Sequence, residues 1–235
     1  MLSMSEKTTS HGKVAAVVRE LEHAIIFGRI LPRQRVTEDE IVHGMHVKRH
    51  VARDALMELE RLGMIMREPY KGASVRLYTR DEVRDLYEVR EVLHREAALR
   101  IRRLHDADWI QDLERTQKDH EAAVATRDLV AVFNANKAFH DTLFQGTANG
   151  YFVQAIEYSN ALTHCVRSHA LKHQLFLDQA CAEHRAMIET LKAGDLTALA
   201  RQCIDHMQPA RRHYEEQFCG PTPVPADGLA TDHGT

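Results

Sequence analysis

Val47-Lys48-Arg49-His50-Val51-Ala52-Arg53-Asp54-Ala55-Leu56 is the stretch that decides the fold. Its apolar positions, Val51, Ala55 and Leu56, continue through Leu59 and Leu62 at helical spacing, so a helix from about 48 to 62 buries one face. Gly63 ends it. Arg49 and Arg53 stand one turn apart on the opposite face, where two guanidiniums can enter one major groove and pair with guanine O6 and N7 or grip phosphate. Without context such a pair is more simply read as solvated surface charge, and the flanking sequence decides between the two.

Upstream, Val14, Val17, Val18, Leu21 and Ile25 repeat at helical spacing until Gly28 and Pro32 stop the helix, and Thr37 caps a short second helix through Ile41 and Val42. Downstream, two β-prone runs, 64–67 and 74–77, flank the tight turn Pro69-Tyr70-Lys71-Gly72. Three helices and a small hairpin are the parts of a winged helix-turn-helix, whose third helix reads DNA while the wing tip, here Lys71 and Gly72, reaches the flanking duplex.

Everything after Thr79 reads as helix, with spans near 80–104, 107–126, 128–145, 151–172, 176–193 and 195–218. The fold class is therefore mainly α, an N-terminal winged helix-turn-helix over 13–79 followed by an all-α helical bundle over 80–218. Residues 1–12, polar and aperiodic, and 219–235, rich in Pro, Gly and Thr, read as flexible tails. The net charge of −3 divides unevenly: residues 1–79 carry 13 Lys and Arg against 10 Asp and Glu, and residues 80–235 carry 18 against 24. A basic front and an acidic rear suit a module that meets phosphates joined to one that does not. No apolar run approaches membrane-spanning length, the first residues lack a signal-peptide block, and the four cysteines form no CxxC pair, so a cytoplasmic location without a membrane partner is expected.

In the rear half the informative residues are polar ones that interrupt buried stripes. Near 128–145 the stripe is Leu129, Val132, Phe133, Asn136, Phe139, His140, Leu143, placing Asn136 and His140 a turn apart where apolar side chains belong. His184 interrupts the stripe of Leu177, Cys181, Ile188 and Leu191, and His206 that of Leu199, Cys203, Met207 and Tyr214. Each buried polar group without a partner costs about 1–3 kcal/mol. One divalent ion shared by three neutral imidazoles and an oxygen removes that cost in a single step and suits Zn²⁺, Ni²⁺ or Mn²⁺. The alternative is that each group finds its own partner. His164, His169 and His173 fall off the stripe and read as surface residues. Arg90 intrudes on a stripe of Val83, Leu86, Tyr87, Leu93 and Ala97 and requires an anion, either an effector carboxylate or an internal acidic side chain.

The front half resembles the GntR superfamily of bacterial regulators, in its FadR-like branch. The matching stretches are Ile30-Leu31-Pro32, Val36-Thr37-Glu38, Arg49, Val51, Arg53-Asp54-Ala55-Leu56, Leu59, Leu62-Gly63-Met64-Ile65, Pro69 and Gly72-Ala73. The resemblance implies that Arg49 and Arg53 read the major groove and that Gly72 lets the wing backbone approach the minor groove. His46 and Lys48 stand where the family has Gly and then Ser or Thr, so the recognition helix loses a side-chain cap worth about 1 kcal/mol, while Lys48 and His50 are free to touch phosphate. The rear half resembles the FCD-type effector domain of the same branch, through Asn136, Phe139-His140, His184-Arg185, Ile188, Gly194-Asp195 and His206. Asn136 replaces the commoner Asp, and His94 stands four residues after Arg90 where the family often has Glu.

What the resemblance implies is a homodimeric transcriptional regulator rather than an enzyme. It would bind a double-stranded operator of two-fold symmetry and respond to a small carboxylate held by a divalent metal at Asn136, His140, His184 and His206 and by Arg90. Two other readings stay open: a metal-free regulator sensing an acyl thioester or another metabolite, and a metallohydrolase that uses the His cluster. The last needs a general base beside an activated water, and the inward stripes place no Asp or Glu one turn from His184 or His206.

Overall fold

The apolar repeat of Val17, Val18, Leu21 and Ile25 is realised in α1 (Met4–Ile26), which ends just before Gly28 takes a left-handed φ of 73°. The computed structural model describes residues 4–68 and 72–220. Helix α1 begins well before the apolar repeat does, so most of the stretch read as a tail, 1–12, is helix. Residues 4–13 contain no Pro and one Gly, and a helix nucleated on buried turns extends through such polar sequence at little cost. The Pro-rich end from 221 lies outside the described residues.

The winged helix is completed by β1 (Arg35–Val36), α2 (Glu38–Met45), α3 (Arg49–Arg61), β2 (Ile65–Glu68) and β3 (Gly72–Val75). Thr37 starts α2 with a full capping box: the Glu40 backbone N–H donates to Thr37 Oγ1 at 3.2 Å, and the Thr37 N–H donates to the Glu40 carboxylate at 2.9 Å. Helix α3 has no such cap, since Lys48 at its N-cap makes no side-chain hydrogen bond. His46 turns the chain between α2 and α3 at φ 53°, a left-handed conformation that costs a residue with a Cβ about 1 kcal/mol. The strands run β1-β3-β2, all antiparallel, with Met66 and Arg35 both opposite Ser74. At two residues, β1 is too short to show a period-two pattern in sequence.

Thr79 caps the next helix with a second box, to Glu82. Beyond it lie α4 (Arg80–Ala98), α5 (Ala107–Thr126), α6 (Leu129–Gln145), α7 (Gly150–Leu162), α8 (His164–Arg167), a 3-10 turn (Ser168–Lys172), α9 (Gln174–Lys192), α10 (Leu196–Asp205) and α11 (Gln208–Phe218). Side-chain oxygens of Asp106, Asp128, Asn149 and Asp195 cap α5, α6, α7 and α10. Two expected long helices are each broken. The span 151–172 breaks at Thr163, whose hydroxyl donates back to the Asn160 carbonyl at 3.0 Å. The span 195–218 breaks at His206-Met207, because Pro209 has no N–H for the carbonyl four residues earlier. Among the described residues no helix is long and apolar enough to cross a membrane.

Helix α4 packs on α7 and α10, and α5 on α6 and α9, around a rear core of Trp109, Leu113, Phe139, Leu143, Ile188 and Leu199. A second core ignores the end of the wing. It joins Leu21, Ile26, Leu59 and Ile65 of the winged helix to Tyr87, Val166 and Tyr214. Tyr78 is the joint: its hydroxyl donates to the Gly63 carbonyl at 2.7 Å with the Leu162 carbonyl 3.1 Å away, and its backbone N–H donates to Tyr214 Oη at 2.9 Å. Gly63 sits at φ 68°, and a Cβ there would stand 2.4 Å from the Tyr78 hydroxyl, so only glycine allows the close approach.

Candidate functional site

Three of the polar intruders read from the stripes meet at one point. Helix α6 supplies His140, α9 supplies His184, and the break between α10 and α11 supplies His206. The Nε2 atom of His206 lies 3.2 Å from that of His140 and 3.3 Å from that of His184. The far side of two rings is fixed. Nδ1 of His184 donates to Oε1 of Gln117 at 2.9 Å, and Nδ1 of His206 donates to the Glu183 carboxylate at 2.6 Å. A proton on Nδ1 leaves Nε2 of the neutral ring as a bare lone pair, so His184 and His206 aim acceptors at one another. His184 is also stacked on Phe139, ring centroids 3.9 Å apart, which locks its plane. The third ring, His140, has no hydrogen-bond partner for its buried Nδ1 among the described residues.

His140 and His206 border a cavity of about 90 Å³ whose other polar walls are Arg90, His94, His120, Asn136, Arg167, Gln179 and Glu183. Arg90, only 2% exposed, donates from Nε to Oδ1 of Asn160 at 3.2 Å, while its buried Nη1 finds no partner. His94 Nε2 shares the same Asn160 oxygen at 3.1 Å. Among the described residues Arg90 meets no carboxylate within ion-pair distance, and its side-chain partner is the Asn160 amide oxygen. Arg167 adds a second guanidinium with an unpartnered buried Nε, and burial, together with the nearby Arg90, pulls its pKa down to about 9. Burial first, and the neighbouring positive groups second, also hold His94, His140 and His184 well below the ordinary imidazole range. A pocket walled by two guanidiniums and four imidazoles against one carboxylate has the donors to hold an anion.

Asn136 lines this cavity beside the triad. Reading from sequence missed Gln117, Glu183 and Arg167. Gln117 and Glu183 face His residues from other turns and helices, and Arg167 follows the break at Thr163, where the helical stripe no longer holds. His164 is a correction: it is buried, 5% exposed, and its Nδ1 pairs with Glu22 of α1 at 2.8 Å. The break before α8 rotates it off the surface that a continuous helix would have given it. His173 is exposed, as its position implied.

On the winged helix, Lys48, Arg49, His50 and Arg53 are all exposed at the start of α3. Gly72, at φ 81°, begins β3, and Lys71 lies outside the described residues. The two arginines are not free: Asp39 and Glu38 of α2 hold Arg49, and Glu38 also holds Arg53.

Comparison with known proteins falls on the same two halves. The family model "Bacterial regulatory proteins, gntR family" matches residues 13–75, and that of the FCD domain matches residues 85–209. The HTH-type transcriptional regulator YdhC of Bacillus subtilis is 24% identical, over 83% of this chain and 87% of its own. The HTH-type transcriptional repressor RspR of Escherichia coli is 23% identical, over 82% and 84%. Among solved structures, E. coli McbR/YncC superposes with a TM-score of 0.74 at 16% identity, over 88% of this chain and 98% of its own. A GntR regulator from Rhodococcus gives 0.69 at 20%, over 88% and 99%.

The buried imidazoles dictate a pH dependence. His120, driven by burial, falls to about 4, and His140 and His184 move in the same direction. The folded chain therefore refuses protons that the unfolded chain accepts below about pH 6.5. Stability is fully present above that value and is lost as pH falls through the window toward 4, by up to about 1.4 kcal/mol per pH unit for each such imidazole. Urea unfolding with a chelator present, at about pH 7.5 and about pH 5.5, checks this against the imidazole range; equal stability at the two would contradict it.

Proposed function

Because the chain belongs to the GntR family of bacterial regulatory proteins and carries an FCD domain, we propose that it is a transcriptional regulator, not an enzyme, whose DNA affinity is set by a small carboxylate bound at a divalent metal. The observation that carries the metal is the convergence of imidazole nitrogens from three helical segments, two of them bare lone pairs 3.3 Å apart. Such acceptors repel unless something positive lies between them. Nitrogens about 2.0–2.1 Å from one Zn²⁺ stand roughly 3.3 Å from each other at the tetrahedral angle, which matches the two separations found here. Asn136 is placed to add an oxygen, and Zn²⁺, Ni²⁺ or Mn²⁺ fit the donor set, with positions left open for a ligand. Gln117 and Glu183 fix the tautomers that make His184 and His206 ligands. The bound ion supplies a Lewis-acidic anchor for the effector; the chain's own part is to orient the rings and to offer Arg90 and Arg167.

Those two guanidiniums, each with an unsatisfied buried N–H, favour a carboxylate as the occupant. A cavity of about 90 Å³ suits a small acid better than an acyl thioester of coenzyme size. A proton on Nε2 of His206 is the competing way to hold the triad together. Elemental analysis of untagged protein decides between them. We expect close to one equivalent of metal per chain, lost in His140→Ala with His184→Ala, and a rise in melting temperature of the loaded protein with a dicarboxylate such as malonate. Less than about a tenth of an equivalent, even after incubation with Zn²⁺, Ni²⁺ and Mn²⁺, would return the triad to a protonated core cluster.

In the front domain, α3 lies in the major groove with Arg49 and Arg53 toward base edges, while Lys48, His50, Lys71 and Gly72 meet the backbone of the duplex. Alanine at Arg49 or Arg53 is expected to cost about 1–3 kcal/mol of discrimination in binding to duplexes selected from a random pool, with the fold intact. Full binding by both variants would remove α3 from the groove.

One winged helix reads too few base pairs for useful specificity, so the cytoplasmic regulator acts as a homodimer on an operator of two-fold symmetry. The packed pair α4 and α7 offers the surface: Val89 and Val92 on α4, Leu99 at its C-cap, and Tyr151 and Tyr158 on α7 are all exposed. Isolated exposed apolar residues mean little, but five on two neighbouring helices form a patch that a second copy can cover. Sedimentation of the full chain at micromolar concentration should give a dimer, and Val89→Asp with Val92→Asp a monomer. A monomeric wild type would refute the assembly.

A further inference from the structure

The two arginines placed toward DNA arrive already engaged by acids. Arg49 Nη2 lies 2.5 Å from Asp39 Oδ1, and its Nη1 lies 3.7 Å from Glu38 Oε2. Arg53 turns its Nε to Glu38 Oε1 at 3.1 Å. The two acids open α2, whose start is fixed by the Thr37 and Glu40 capping box, so neither is needed for the cap itself. They differ in freedom. The Glu38 side chain is 26% exposed and bridges both arginines, whereas that of Asp39 is 64% exposed.

We propose that Glu38 and Asp39 are specificity-determining residues of the DNA-reading face, Glu38 by setting the pose of Arg53 and Asp39 by masking Arg49 from phosphate. This rests on the reading that α3 enters the major groove. A guanidinium held through Nε keeps both Nη groups free, and those are the atoms that make the bidentate contact with guanine O6 and N7. Glu38 therefore holds Arg53 end-on toward a base edge, and the contact with Glu38 can survive base recognition. Arg49 is held by its Nη groups and must leave Asp39 to touch DNA. Exchanging a carboxylate for a phosphate gains little, because one anion replaces another and the freed carboxylate then faces the negative backbone. Leaving Asp39 costs Arg49 the same in either complex, and a matched guanine offsets it with a directed pair of hydrogen bonds to O6 and N7 that a scrambled sequence does not offer. Two acids on a reading face thus depress non-specific binding more than specific binding.

The test uses the full-length protein and two fluorescent duplexes, one selected by the wild type from a randomised pool and one a scramble of it. Anisotropy across a salt series gives both affinities. Asp39→Asn is expected to tighten the scrambled duplex by about fivefold, the scale of one exposed ion pair, and to leave the selected duplex within about twofold. The salt slope on the scramble should steepen by about 0.9, one added phosphate contact. Glu38→Gln is expected to weaken the selected duplex by about fivefold and to lower its ratio to the scramble. Both variants keep the capping box, and melting curves matching the wild type confirm the fold. An unchanged ratio of affinities in both variants overturns the proposal. Arg49→Ala and Arg53→Ala run alongside. If these bind the selected duplex normally, the groove reading itself is wrong; if they lose it while the acid variants keep the wild-type ratio, only the role of Glu38 and Asp39 falls.

Discussion

An imidazole nitrogen that turns its lone pair into a protein interior has to meet something positive there. In this protein two such nitrogens, with His140 beside them, meet each other. Their far nitrogens are committed to Gln117 and Glu183, so the rings cannot tautomerise to form a simple chain of hydrogen bonds without giving up those partners. The rear bundle is arranged around this constraint. Phe139 clamps the plane of His184, and His206 enters from the helical C-cap of α10, just before the chain turns into α11. The two guanidiniums opposite extend the same condition to the whole cavity. Positive charge and bare acceptors share one small space, so a cation and an anion bound there together would each offset a cost that the empty cavity carries.

The break just after His206 starts α11, and α11 carries Tyr214, whose hydroxyl accepts from the backbone of Tyr78 where the winged helix ends. One short helix therefore has a ligand-cavity residue just before its first turn and a joint to the DNA-reading domain two turns later. Arg211 on the same helix is held by Glu215 within it and by Glu91 of α4, so α11 is tied to α4 as well. In such an arrangement a displacement at one end is not absorbed locally, since a packed core deforms little. Effector affinity and DNA affinity, if α11 couples them, must change each other by the same factor.

Much of this was legible in the sequence, and the parts that were not share a cause. Apolar spacing places the winged helix and most of the rear helices because each repeat reports on one chain segment at a time. The same stripes expose Asn136, His140, His184, His206 and Arg90 as polar residues in apolar company. What periodicity cannot report is the partner across the fold. His164 looks like a surface residue until Glu22, 142 positions away, is seen against it. Gln117, Glu183 and Arg167 gain meaning only from the rings and the cavity they face. The break at His206 is different in kind: Pro209 announces it, but a strong apolar repeat on both sides hides the proline's effect. The segment 1–12 fails in the opposite direction, since a sequence with no buried face can still be carried as helix by the turns that follow it.

The hydrogen bond between Tyr78 and Tyr214 spans 136 residues of chain. At roughly 5–20 residues per second, a ribosome that has just made Tyr78 needs about 7–27 s to reach Tyr214. During that interval the winged helix has all of its own secondary structure, yet one side of its core faces water and the Tyr78 amide has only solvent to bond. The DNA-reading half of a nascent chain therefore exists before its last supporting helix does. Its surface around Tyr78, Ile26 and Leu59 is the part that must be kept from sticking to its neighbours until Tyr214 and its helix have been made.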